Sequence, residues 1–118
     1  MKLGEVCLLT DDVVRLANFY KQLLGTDNGS SDSIHQTIIA EETMLTVYND
    51  GEPRPQTANH IQLAFTVEDV DREYERLCAM GAVIVSPPAS QPWGARNMCF
   101  LDPDGNRIFL RCFPRKSR

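Results

Sequence analysis

No apolar run in these 118 residues approaches the ~20 needed to cross a bilayer, so a membrane-spanning helix is not expected. Positive charge is scarce: 12 Lys and Arg stand against 16 Asp and Glu, a net charge of −4, and a nucleic-acid partner gains no electrostatic support. The one basic cluster, Arg111 with Arg115, Lys116 and Arg118, reads as a solubilising tail. Cys-x-x-Cys pairs are missing too. Cys7, Cys78, Cys99 and Cys112 each lie in or beside an apolar stretch, which points to free, mostly buried thiols in a reducing cytoplasm rather than a disulfide framework or a zinc site. One lysine and no long apolar stretch precede Asp11 and Asp12, so no secretory leader is expected and the location reads as cytoplasmic. What remains is ordinary globular composition, 42% hydrophobic and 24% charged, in a chain long enough for one domain that buries roughly 65% of its unfolded surface.

The order of elements is legible from periodicity. Residues 3–10 read as a strand, and Asp11 and Asp12 then offer capping oxygens at a positive helix end. Val13, Leu16, Tyr20, Leu23 and Leu24 recur at helical spacing, with Gly25 as the stop. After a polar stretch, residues 34–40 and 43–49 read as strands, and a Pro-rich segment at 51–57 ends the unit. The second half repeats the plan: a strand at 60–67, an acidic helix start at Glu68, Asp69 and Asp71, and an apolar stripe of Val70, Tyr74, Leu77 and Cys78 that stops at Gly81. A short strand at 82–85 is expected to break at Pro87-Pro88, and a hairpin over about 95–102 and 106–113 closes the unit. The expected modules are therefore about 1–50 and 58–113.

That last hairpin is the most informative segment. Two apolar runs flank Asp102-Pro103-Asp104-Gly105-Asn106, in which Pro103 presets φ, Asp102 can bond back to the backbone, and Gly105 takes positive φ without a Cβ clash. The hairpin closely resembles the final one of the vicinal oxygen chelate superfamily, which holds glyoxalase I, extradiol dioxygenases and the bleomycin- and fosfomycin-resistance proteins. Phe19-Tyr20 ahead of Leu24-Gly25, and Trp93-Gly94 ahead of Arg96, are further features of that resemblance. It implies an α+β fold of paired βαβββ modules forming a curved mixed sheet with a cup-shaped site.

Strand alternation then selects what faces the cup. Val6 and Leu8 suit the helix-packed face and leave Glu5 and Cys7 on the other; Ile61 and Leu63 leave His60 and Gln62; Ile108 and Leu110 leave Arg107, Phe109 and Arg111. Carried over from the metal-using relatives, the four ligand places fall on Glu5, about Leu45, His60 and Phe109. Two of these can bind a metal and two cannot, whereas a catalytic ion ordinarily holds at least three protein ligands. His35 or Glu42 could supply a third, though nothing in their spacing aims them at the cup. No metal and no cofactor is therefore expected.

Glu5 and His60 occupy the same place in the two repeats and read either as an acid–base or orienting pair or as ordinary polar residues of a sheet. Trp93, between Pro92 and Gly94, either hangs over the cup mouth or packs as a structural plug. Arg96 either reads an anionic ligand or pairs with a nearby acid. Leu45, Tyr48, Gln62 and Phe109 complete the expected lining, and Cys7 reads as an inert buried thiol. The function expected is metal-free binding of a small molecule in an apolar cup. Its alternative is a glyoxalase-like isomerase or lyase that uses Glu5 and His60. A homodimer is expected because relatives cover their sheet edges with a partner.

Overall fold

Two aspartates and two glycines punctuate the helices as the sequence anticipates. In the computed structural model, which describes residues 3–53 and 62–114, α1 spans Val13–Leu24 and α2 spans Val70–Met80. The Asp12 side chain accepts from the Arg15 N–H, and Asp69 accepts from that of Arg72, each satisfying a donor that the first helical turn leaves open. Gly25 (φ 67°) and Gly81 (φ 80°) end the helices in the left-handed region. The residues that follow them, Thr26 and Ala82, donate back to the carbonyls of Lys21 and Leu77.

The chain divides into two compact units, 1–56 and 57–118. In the first, β1 (Val6–Leu9), β2 (His35–Ala40) and β3 (Thr43–Tyr48) form a sheet in the order β1-β3-β2. β1 runs parallel to β3, and β2 antiparallel to it. α1 packs on β2 and β3, and Leu16, Tyr20, Ile38, Leu45 and Val47 are buried between helix and sheet. The expected βαβββ plan loses one strand here among the described residues. Between α1 and β2, Asp27, Asn28, Ser30 and Asp32 each accept a backbone N–H two residues ahead. These side chains take the donors that a strand ladder would need.

The second unit has the full plan: β4 (Gln62–Thr66), α2, β5 (Val83–Ser90), β6 (Arg96–Leu101) and β7 (Arg107–Cys112), with sheet order β4-β7-β6-β5. β4 lies parallel to β7 and the other pairs are antiparallel, so both sheets are mixed. α2 packs on β5, β6 and β7, over a core that includes Val70, Leu77, Met98, Phe100, Ile108 and Leu110. β5 is longer than expected and runs through Pro87-Pro88. It is an edge strand, and its register with β6 shifts twice between Ile84 and Ala89, where missing N–H donors cost the ladder nothing.

Candidate functional site

Each sheet has one face under its helix and one turned away from it, and register decides which residues stand on which. In the first unit, β1 and β3 pair Val6 with Leu45, Cys7 with Thr46, Leu8 with Val47 and Leu9 with Tyr48. Once Val6 and Leu8 turn toward α1, Leu45 must do the same, and it is 2% exposed in the core. Leu45 is therefore not a lining residue of the helix-free face. Thr46 holds that place, and its hydroxyl donates to Glu5 Oε2 at 2.6 Å. Tyr48 stands on the same face with His35 opposite; their rings meet edge-to-face, 5.8 Å between centroids. Leu9, Ile39 and Met44 are exposed apolar neighbours on this face. Glu5, Tyr48 and Cys7 are thus gathered on one face as expected. Cys7 is an exposed thiol rather than a buried one, and Cys78 is exposed as well, whereas Cys99 and Cys112 are buried.

In the second unit, β4 pairs with β7 so that Gln62 meets Arg107, Ala64 meets Phe109 and Thr66 meets Arg111. β6 sets Leu101, Cys99 and Asn97 against those same three residues of β7 from the other side. Phe109 is half-buried at the centre of this face, with exposed arginines two residues away on either side along the strand. The Arg111 Nε donates to Thr66 Oγ1 at 3.1 Å, and its guanidinium carbon lies 5.4 Å from the centre of the Phe113 ring. Burial pushes the Cys99 thiol upward in pKa, and the Arg107 charge pulls it partly back.

Arg96 takes the second of its two expected places, paired with an acid. It pairs with Cys112, in phase with Met98 and Phe100, and so lies on the helix side of the sheet. Its Nε and a terminal nitrogen reach both oxygens of Asp71, in the first turn of α2, at 2.7 and 2.8 Å. The guanidinium holds the Asp71 carboxyl below the ordinary aspartate range, and the carboxylate raises Arg96 in turn. The residue is a strap between strand and helix. Trp93 sits in the turn between β5 and β6, which closes with Gln91 N–H donating to the Ala95 carbonyl at 2.7 Å. It is 69% exposed, so it is not a structural plug. His60 lies outside the described residues.

A carboxyl whose pKa is lower folded than unfolded contributes stability that is complete above the unfolded value and lost as pH falls through the folded one. The Asp71–Arg96 contribution should therefore disappear on the acid side of the ordinary aspartate range. Arg96→Gln is expected to lower the melting temperature slightly at neutral pH, by an amount that salt reduces, and to flatten that acid segment of the profile. It should leave ligand affinity unchanged.

The described residues do not fit the ion of metal-using relatives. Among them no three His, Cys, Asp or Glu side chains are grouped as an ion requires. Of the four ligand places, that at Phe109 is an aromatic ring, and that at about Leu45 is either the buried Leu45 or the hydroxyl of Thr46. A broad, open hollow of about 670 Å³ lies at the C-terminal end of α1, bordered by Asn18, Gln22 and Asp27, and its Lys21 Nζ already donates to the Ser30 carbonyl at 2.7 Å.

The sequence profile of the Glyoxalase/Bleomycin resistance protein/Dioxygenase superfamily matches residues 2–110. The chain belongs to this superfamily. Among curated relatives, the uncharacterized protein YraH of Bacillus subtilis (strain 168) is 32% identical over 127 residues, covering 92% of this chain and 95% of that one. A glyoxalase/bleomycin resistance protein/dioxygenase family enzyme from Burkholderia phytofirmans PsJN is similar in structure, with a TM-score of 0.80 at 19% identity over 94% of this chain and 98% of that one. Lactoylglutathione lyase from Agrobacterium tumefaciens gives a TM-score of 0.74 at 18% identity, over 94% and 92% of the two chains. At these identities the likeness is one of fold, which within the superfamily leaves the chemistry to the side chains on the sheet faces.

Proposed function

We infer that this superfamily member is a small-molecule-binding protein whose ligand lies against a helix-free sheet face and is held without a catalytic metal. The observation that carries this reading is Phe109. A half-buried ring stands at the centre of the β7 face, where the superfamily resemblance puts a ligating carboxylate in metal-using members. A ring offers contact area and stacking and no lone pair for an ion. In the first unit, considered by itself, Tyr48, His35, Leu9 and Met44 present a helix-free face that is also aromatic and apolar. Glu5, Gln62 and the exposed Trp93 belong to the same reading as polar and aromatic contacts.

A homodimer belongs to it as well, since β2 and β5 are each paired on one side only within their own sheets. A cytoplasmic location does too, since all four cysteines are thiols. No helix among the described residues is long and apolar enough to cross a membrane.

The test is a thermal-shift screen of aromatic small molecules in the presence of a chelator. A ligand at a hundred times its Kd adds about 2.7 kcal/mol, a shift of several degrees for a chain of this size. The expected result is a ligand whose shift is indifferent to chelator and is cut in Phe109→Ala. Shifts that appear only after adding a divalent ion would overturn the reading. A second reading, an isomerase or lyase using Glu5 and His60, is favoured by the Thr46 bond that orients the Glu5 carboxylate. Turnover that is lost in Glu5→Gln while binding persists would select it.

A further inference from the structure

We propose that the helix-free face of the second unit binds a small planar aromatic carboxylate, its ring stacked on Phe109 and its charge taken by Arg107 and Arg111. This rests on the binding reading above and names the ligand class for one of its faces. Along β7 the residues turned away from the helix alternate cation and ring: Arg107, Phe109, Arg111, and then Phe113 just past the strand end. Residues two apart on one strand lie about 7 Å from each other, so a carboxylate on a ring stacked over Phe109 comes within reach of either guanidinium. Arginine reads a carboxylate with two parallel N–H donors, which a neutral ligand cannot accept in the same way.

Charge complementarity supports the assignment. The chain as a whole carries −4, yet no acidic residue stands on this face among the described residues. Two guanidiniums therefore share a surface with Gln62, Thr66 and Asn97, none of which carries charge. Arg111 is preset by Nε donation to Thr66 Oγ1, which holds the fork in place. A polyanion such as single-stranded nucleic acid would find the same rings and cations, but it would meet the net negative charge of the remaining surface. A small monoanion is little affected by it.

The test is calorimetric titration of the full chain with β-naphthoate, the neutral β-naphthylmethanol, acetate and a short oligothymidylate. β-Naphthoate is expected to bind at least about tenfold more tightly than the alcohol, with acetate and the oligonucleotide not detected. Arg107→Gln alone should weaken naphthoate in part, and Arg107→Gln with Arg111→Gln, both at exposed positions, should bring naphthoate to the level of the alcohol and leave the alcohol unmoved. Phe109→Leu should weaken both. Equal affinity for acid and alcohol, or indifference to the double Arg107→Gln, Arg111→Gln change, overturns the anion assignment and leaves the binding reading standing. Failure of β-naphthoate to bind also overturns it, while other hits in the chelator screen judge the binding reading separately. Oligothymidylate binding above naphthoate would overturn the small-ligand class.

Discussion

Asp102→Ala should destabilise the chain by about 2–4 kcal/mol, because it strips a buried turn of its acceptor. The side chain is 4% exposed, and its Oδ1 accepts the backbone N–H groups of Asp104 and Asn106, both at 2.9 Å. Oδ2 accepts from the Asn106 side-chain amide at 2.7 Å. Around it the backbone closes on itself: Gly105 donates to the Asp102 carbonyl, and Asp102 donates to that of Asn106. Alanine would leave two backbone donors without the acceptor the turn was built around, in a protein whose total margin is only about 5–15 kcal/mol. Asp102→Asn is the control. It keeps one oxygen for the two backbone donors and gives up only the bond to the Asn106 amide, so about 1 kcal/mol is expected. Urea midpoints at unchanged slope separate the two outcomes. Equal losses for Ala and Asn would mean that the backbone bonds contribute little.

Phe100→Ala should cost about 3–5 kcal/mol, the loss of a buried aromatic side chain plus the cavity it leaves. Phe100 is fully buried on the helix side of β6, opposite Ile108 on β7 and Ile84 on β5. β6 lies between those two strands, so slackening its seat loosens the support of β7 and with it the Arg107–Phe109–Arg111 face. Phe100→Leu keeps much of the volume and should cost less than about half as much. A loss below about 1 kcal/mol for the alanine variant, read from the same urea curves, would contradict this packing.

Local signals carried furthest in reading this chain. Asp12, Asp69, Gly25 and Gly81 act through bonds within four residues of themselves, and the Asp102–Asn106 turn is equally local, so each is visible in sequence. Alternation along β7 also sorted Ile108 and Leu110 from Arg107, Phe109 and Arg111. What sequence did not reveal depends on partners far away in the chain. Leu45 is a core residue because β3 pairs in parallel with β1, which locks its phase to Val6 nearly forty residues earlier. Only the alternation Leu45-Thr46-Val47-Tyr48 hinted that Thr46 belonged on the other face. Arg96 reads from sequence either as an anion reader or as half of an ion pair, and its partner Asp71, twenty-five residues upstream, is brought to it only by the packing of α2. The prolines of β5 are a strand-breaking signal locally and harmless at a sheet edge, which no local pattern announces. His35, which the sequence offers only as a possible third metal ligand, meets Tyr48 only once the β2–β3 register is set.

The central claim is that the superfamily scaffold here holds its ligand without a metal ion. The most direct measurement is elemental analysis of untagged protein after incubation with Mn, Fe, Ni and Zn under reducing conditions, with ligand affinity measured on the same samples before and after chelation. His60→Ala runs in parallel. The account predicts no stoichiometric metal and an affinity that chelator leaves unchanged. One ion per chain, lost in His60→Ala together with the affinity, would contradict it and return Glu5 and His60 to the role of metal ligands.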